Sequence, residues 1–153
     1  HILYDQRFDD ASYLIENTLI IMEKKYRRFI NEGMNESLEK IPFHQKAPIK
    51  RFSMLNKSMV PESDTHIAVH FVNASQKIPK YSQLHKHNHD EINLILSEDD
   101  TLKYKIQLEG ETYRVSSPSS VFIPKGVRHS AEVVSGTGIF VCIILSDDYD
   151  SSE

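Results

Sequence analysis

Between residues 67 and 145 the chain is a series of short apolar runs separated by turn residues, with no helical periodicity between them. The runs fall at 67–72, 91–97, 102–108, 112–115, 121–123 and 138–145. Each has strand length, and strands so closely spaced bury their apolar faces by packing on one another as a sandwich or barrel. The spacing therefore predicts a mainly β fold, preceded by one N-terminal α-helix. At 153 residues the chain is one ordinary domain, long enough to bury a core without covalent staples. Its single cysteine excludes a disulfide framework and every cysteine-rich zinc module. Eight histidines accompany that cysteine, so any bound metal must be held by nitrogen and oxygen.

Ahead of the strands, Ile15, Leu19, Met22, Tyr26 and Phe29 recur at three- and four-residue steps, which predicts a helix over 9–32. Asp9 or Asp10 would cap its start and Gly33 its end, with Lys24, Lys25, Arg27 and Arg28 as a solvated basic face. Residues 35–64 are broken by Pro42, Pro48 and Pro61 and read as a wrapping arm with one short strand near 50–54. The expected organisation is a helix and arm over 1–65, a barrel over 66–146 and a solvated acidic tail over 147–153. A net charge of −4 argues against nucleic acid as a partner. No run approaches the roughly 20 apolar residues of a membrane span, and no signal-peptide pattern opens the chain. The expectation is a cytoplasmic protein, with no nucleic-acid or membrane partner, that forms a homodimer.

The chemistry concentrates in His85-Lys86-His87-Asn88-His89-Asp90-Glu91. Strand side chains alternate, so His85 and His87 present two imidazoles to one point. Glu91 shares their parity and would join them if the chain turned at 88–90 and returned antiparallel. Two histidines and a carboxylate with open positions suit non-haem iron, and other divalent metals accept the same ligands. Further on, Pro124-Lys125-Gly126-Val127-Arg128-His129 reads as a tight turn, with His129 opening the next strand.

These two segments resemble the motifs of the cupin superfamily, His-x-His followed after three or four residues by Glu, and Pro-x-Gly-x-x-His. The resemblance covers roughly 66–146 and implies a small double-stranded β-helix, a jelly-roll-type barrel. It implies that His85, His87, Glu91 and His129 hold one divalent metal inside that barrel. Pro79, Glu98, Pro118 and Val133 depart from the family pattern at positions that shape turns.

Around this set, Asn93 shares the parity of Glu91 and points toward the cavity, while Ile92, Leu94 and Leu96 pack on the other face. His89 sits in the turn, either facing solvent or serving as a substrate contact or alternative ligand. On the strand near 103–107, either Tyr104 and Ile106 or Lys105 and Gln107 face inward. An inward Lys105 would favour an anionic substrate, against the default of a solvent-facing lysine. Arg128 is either a surface cation or a carboxylate contact at the barrel mouth. His66 and His70 share one strand face, Cys142 reads as a buried inert thiol, and His44 and His1 carry no signal.

The resemblance favours Fe(II), with Mn, Ni or Zn as alternatives, and a metal-dependent oxygenase-type enzyme oxidising a small polar metabolite. No catalytic acid or base is assigned. Two other readings stand beside it: a small-molecule-binding or sensor module, including one within a larger enzyme, and a metal-dependent isomerase or lyase.

Overall fold

The computed structural model describes residues 11–18, 24–147 and 150–153. By their contacts the residues form two compact units, 1–31 and 32–153. In the first unit, helix is present over residues 11–18, a turn follows at 24–26, and Arg27–Phe29 forms one 3-10 turn that ends at an extended Ile30. The helix expected over 9–32 is therefore not continuous to its end. Tyr26, Phe29 and Ile30 are exposed, and helical periodicity without a packed face does not hold a helix together. Two of the basic residues are stacked on rings: Lys25 lies 4.8 Å from the centre of Tyr26, and Arg28 lies 4.2 Å from that of Phe29. Asp9, Asp10, Leu19, Met22 and His1 lie outside the described residues.

Among the described residues the second unit has nine strands: β1 (Met34–Asn35), β2 (Lys50–Leu55), β3 (His66–Asn73), β4 (Glu91–Leu96), β5 (Lys103–Leu108), β6 (Glu111–Ser116), β7 (Ser119–Ile123), β8 (His129–Ser135) and β9 (Thr137–Ile144). They form a six-stranded sheet in the order β1-β2-β3-β9-β4-β7 and a three-stranded sheet in the order β6-β5-β8. Every pairing is antiparallel, giving the mainly β, jelly-roll-type barrel expected from the spacing. The expected short strand near 50–54 is β2, and it pairs with β3 along its length, so the arm contributes directly to the larger sheet. Gly33 is not in the left-handed conformation of a helix cap. A Cβ there would sit 2.6 Å from Met54 Sδ, so its small size lets the chain pass close to β2.

Alternation settles which side chains reach the interior. On β4, Glu91, Asn93 and Ile95 are buried, Ile92 and Leu94 are half-buried, and Leu96 is exposed. Leu96 thus does not pack on the outer face as expected. On β5 the inward pair is Tyr104 and Ile106, both essentially inaccessible, which sends Lys105 outward. Cross-strand register aligns three inward rows over the larger sheet: Arg51, His70, Phe140 and Ile95; Ser53, Ala68, Cys142 and Asn93; and His66, Ile144 and Glu91. The first row brings Arg51, His70 and Phe140 to one cavity, and the last carries the carboxylate.

Candidate metal centre

The segment 85–87 does not return antiparallel on Glu91. It bridges to the other sheet, with His85 N–H donating to His129 O (3.1 Å) and His129 N–H donating to His85 O (2.8 Å). Glu91 instead begins β4, between β7 and β9 of the larger sheet. The four side chains therefore meet across the gap between sheets. The second motif makes this closure: Val127 N–H donates to Pro124 O, and Gly126, at φ +81°, takes the third position of a type II turn. Gly126 N–H donates to His87 O, while the Asp90 side chain accepts from Lys125 N–H at 2.8 Å, locking the two motifs together.

The structure brings His85, His87 and His129 together, with one nitrogen of each ring within 4.8 Å of the others. Each Nδ1 is paired with a backbone carbonyl: His85 with Gln83 O at 2.6 Å, His87 with Asp150 O at 2.6 Å and His129 with Val127 O at 2.9 Å. When those Nδ1 atoms carry the ring protons, the Nε2 atoms present lone pairs. Glu91 stands among them, its Oε1 3.5 Å from His87 Nε2 and its Oε2 2.9 Å from His129 Nε2. His129 Nε2 is buried and lacks hydrogen-bond geometry to any partner. A carboxylate facing such lone pairs is repulsive until a proton or a cation lies between them. The donor set of imidazole nitrogens and one carboxylate therefore fits a divalent metal.

Without a metal, a proton must serve instead. Burial disfavours charge on His129, but the Glu91 carboxylate outweighs burial and raises its pKa above the usual histidine value. Burial also pushes Glu91 upward, yet the His129 and His87 rings prevail and hold it well below the usual carboxylate range. His85 lacks such compensation, and burial lowers it to about 4.

The surroundings include residues to which the sequence assigns no part in the site. The Cys142 thiol donates to Glu91 Oε1 at 3.1 Å, so the cysteine, though pushed up by burial and inert as a nucleophile, is bonded to the site. The arm lays His44 edge-on to His85, with ring centres 5.4 Å apart, and stacks Phe43 on it at 5.6 Å. His44 reaches there because Gln45 N–H donates to Tyr81 O and Gln83 N–H to Phe43 O, long-range pairings that no motif announces. His70, lowered to about 3 chiefly by burial, lies beside the hydrogen-bonded hydroxyls of Tyr81 and Tyr104, 3.1 Å apart. Arg51, at 4% exposure, enters the same cavity from β2.

Of the remaining sequence candidates, Asn93 is buried and lines the cavity, as do His66 and His70. Lys105 and Arg128 are not brought to it. Lys105 faces outward and pairs with Glu132 at 2.8 Å, and Arg128 pairs with Glu109 at 2.9 Å on the surface. His89 is partly exposed and lies 3.3 Å from Asp150 rather than among the metal-facing rings.

The C-terminal residues are not a free solvated tail. Lys86 and Ser152 exchange backbone hydrogen bonds, Lys57 pairs with Asp147, and Asp150 O orients His87. Outer partners of metal-bound histidines typically carry about 10–100-fold in affinity. Deleting residues 150–153 is expected to weaken metal binding by about that factor. A chelator-competition titration checks this, and an unchanged affinity would mean that the carbonyl does not hold the ring.

No protein-family model matches the chain, and no curated protein matches it. Solved structures do resemble it. A cupin 2 domain-containing protein from Halorhodospira halophila superposes with a TM-score of 0.52 at 15% identity, covering 67% of this chain and 66% of that one. A protein described as a predicted oxalate decarboxylase from Thermotoga maritima gives 0.54 at 20% identity, covering 74% and 91%. KdgF from Halomonas sp. gives 0.51 at 16% identity, covering 78% and 90%. At such identities the likeness concerns architecture: the chain has the cupin fold. It carries a histidine cluster able to hold a metal where its two sheets meet.

Proposed function

We propose that this protein is a metal-dependent cupin enzyme of the non-haem iron oxygenase type, acting on a small polar metabolite. The observation that carries the reading is the convergence of three carbonyl-oriented imidazoles and the buried Glu91 carboxylate, with His85, His129 and Glu91 lining one cavity. Those four residues would hold the ion, and Fe(II) there would supply redox chemistry with dioxygen. The chain supplies the rest. Carbonyl bonds to Nδ1 fix the rings, Cys142 steadies one carboxylate oxygen, and Phe140 and Ala68 make part of the wall apolar. The cavity is small, ≈ 40 Å³, which favours a small substrate.

A second reading, a non-redox isomerase or lyase using Mn, Ni or Zn, is favoured by neutral His70 and the Tyr81–Tyr104 hydroxyl pair. His70 and Tyr81 line the cavity and can orient a substrate there by hydrogen bonds without redox chemistry. The expected homodimer is part of the proposal, supported by exposed Phe71 and Phe122 on the outer sheet face.

Oxygen uptake by protein loaded with Fe(II) or Zn, across a panel of small polar metabolites, separates these readings. The oxygenase reading expects substrate-dependent uptake with iron only. Turnover with Zn and no oxygen use would support the isomerase or lyase. Saturable binding without turnover would leave a sensor module.

A further inference from the structure

Arg51 is the group that this reading leaves unused. It lies on β2, 4% exposed, opposite His70 in the register and lining the cavity that also contains Glu91, His85 and His129. Its Nη1 is buried and makes no hydrogen bond, and among the described residues its ion-pair partner is Glu36, whose Oε2 stands 3.4 Å away. That contact is long for a charge-assisted bond, and the Glu36 side chain is 36% exposed. A buried guanidinium with an unfilled donor is costly, and its planar fork matches a carboxylate in bidentate fashion. His70 beside it is neutral, so it offers no counter-charge. With a divalent ion held by the histidines and Glu91, the ion and the guanidinium would bring three positive charges against the two negative charges of Glu91 and Glu36. The excess of positive charge calls for an anion.

We propose that Arg51 is the anion-recognition residue of this site and that the substrate is a small carboxylate, its carboxylate on Arg51 and its other polar end toward the metal. The proposal deepens the enzyme reading and rests on it for the second contact, but the Arg51 contact itself does not require the metal. Glu36 then acts as the competitor that the substrate carboxylate displaces.

Glycolate and its neutral isostere glycolamide test this, titrated by NMR or calorimetry into metal-loaded and chelator-treated protein. Glycolate should bind the wild type and glycolamide should bind at least about tenfold more weakly, because bonds to a charged partner are about twice as strong as neutral ones. Arg51→Gln should weaken glycolate about 10–100-fold with metal content unchanged, and Arg51→Lys should recover part of it. Glu36→Gln should move affinity the other way, tightening glycolate, and this remains decisive if Arg51→Gln folds poorly. Equal affinity for glycolate and glycolamide, or no response to either Arg51→Gln or Glu36→Gln, overturns the proposal. Arg51-dependent glycolate binding in a protein that takes up no metal would uphold the anion site while removing the metal reading. Stoichiometric metal with Arg51-independent binding would do the reverse.

Discussion

Purified without chelators, the wild-type chain is expected to hold one divalent metal per molecule, and His87→Ala is expected to lose it. His87 contributes one of three converging rings and neighbours Glu91, and its Nδ1 is already committed to Asp150 O. Removing it leaves a buried carboxylate with fewer positive or metal-bound partners, the costly half of a broken ionic site. The loss should exceed the roughly 10–100-fold attached to outer-shell partners, so affinity should fall by more than about a hundredfold. It should thus exceed the effect of deleting residues 150–153, which only frees the ring. A bound ligand stabilises the fold by about 4 kcal/mol at a thousand times its dissociation constant. Metal should accordingly raise the melting temperature of the wild type and leave that of His87→Ala nearly unchanged. Elemental analysis beside thermal melts reads both. A variant that retained one equivalent of metal would remove His87 from the site.

The second large effect is on pH. Metal and protons compete for the same ring nitrogens. In the metal-free state the Glu91 carboxylate raises the His129 pKa, so the metal meets proton competition there at higher pH than at an ordinary histidine. Below that pKa, affinity should fall about tenfold per pH unit, and more steeply near pH 4, where His85 begins to bind its own proton. Stability without metal follows from the same groups with mixed sign. His129, raised, stabilises the fold below about 6.5, and this contribution disappears as pH rises through its folded value. Glu91, depressed, stabilises above its usual range and loses that contribution on acidification. His85 and His70, lowered to about 4 and about 3, are protonated first in the unfolded chain, so they weaken the fold as pH drops below about 6.5. Chelator competition between pH 8 and pH 5 measures the first effect, and affinity constant over that range would contradict it.

The barrel was legible because strand periodicity and turn residues are local. Residues 67–72 and 138–145 became β3 and β9 within one residue at each end. Parity likewise placed Asn93 inside, since Glu91 and Asn93 share a face of β4. Parity alone could not choose between Tyr104 and Lys105, because both faces of that strand carry long side chains; packing against Tyr81 and Phe140 decided it. Other features are long-range. The pairing of His85 with His129 across sheets, the reach of Asp150 back to His87, and the entry of Arg51 through β2 depend on contacts tens of residues apart. Arg51 in particular stands in an irregular stretch between Pro48 and Pro61, where nothing marks a buried cation. The helix expected to 32 failed for the complementary reason: its periodicity was real, but Tyr26 and Phe29 bury little.

If His85, His87, Glu91 and His129 form one mononuclear metal centre, the ion can be located directly. Anomalous diffraction from crystals of the chelator-free protein, collected at the absorption edge of the metal found by elemental analysis, tests this. A single strong peak is expected about 2.0–2.2 Å from the Nε2 atoms of all three histidines and from a Glu91 oxygen. A map with no such peak, with His129 and Glu91 closed on each other as an ion pair, would contradict it.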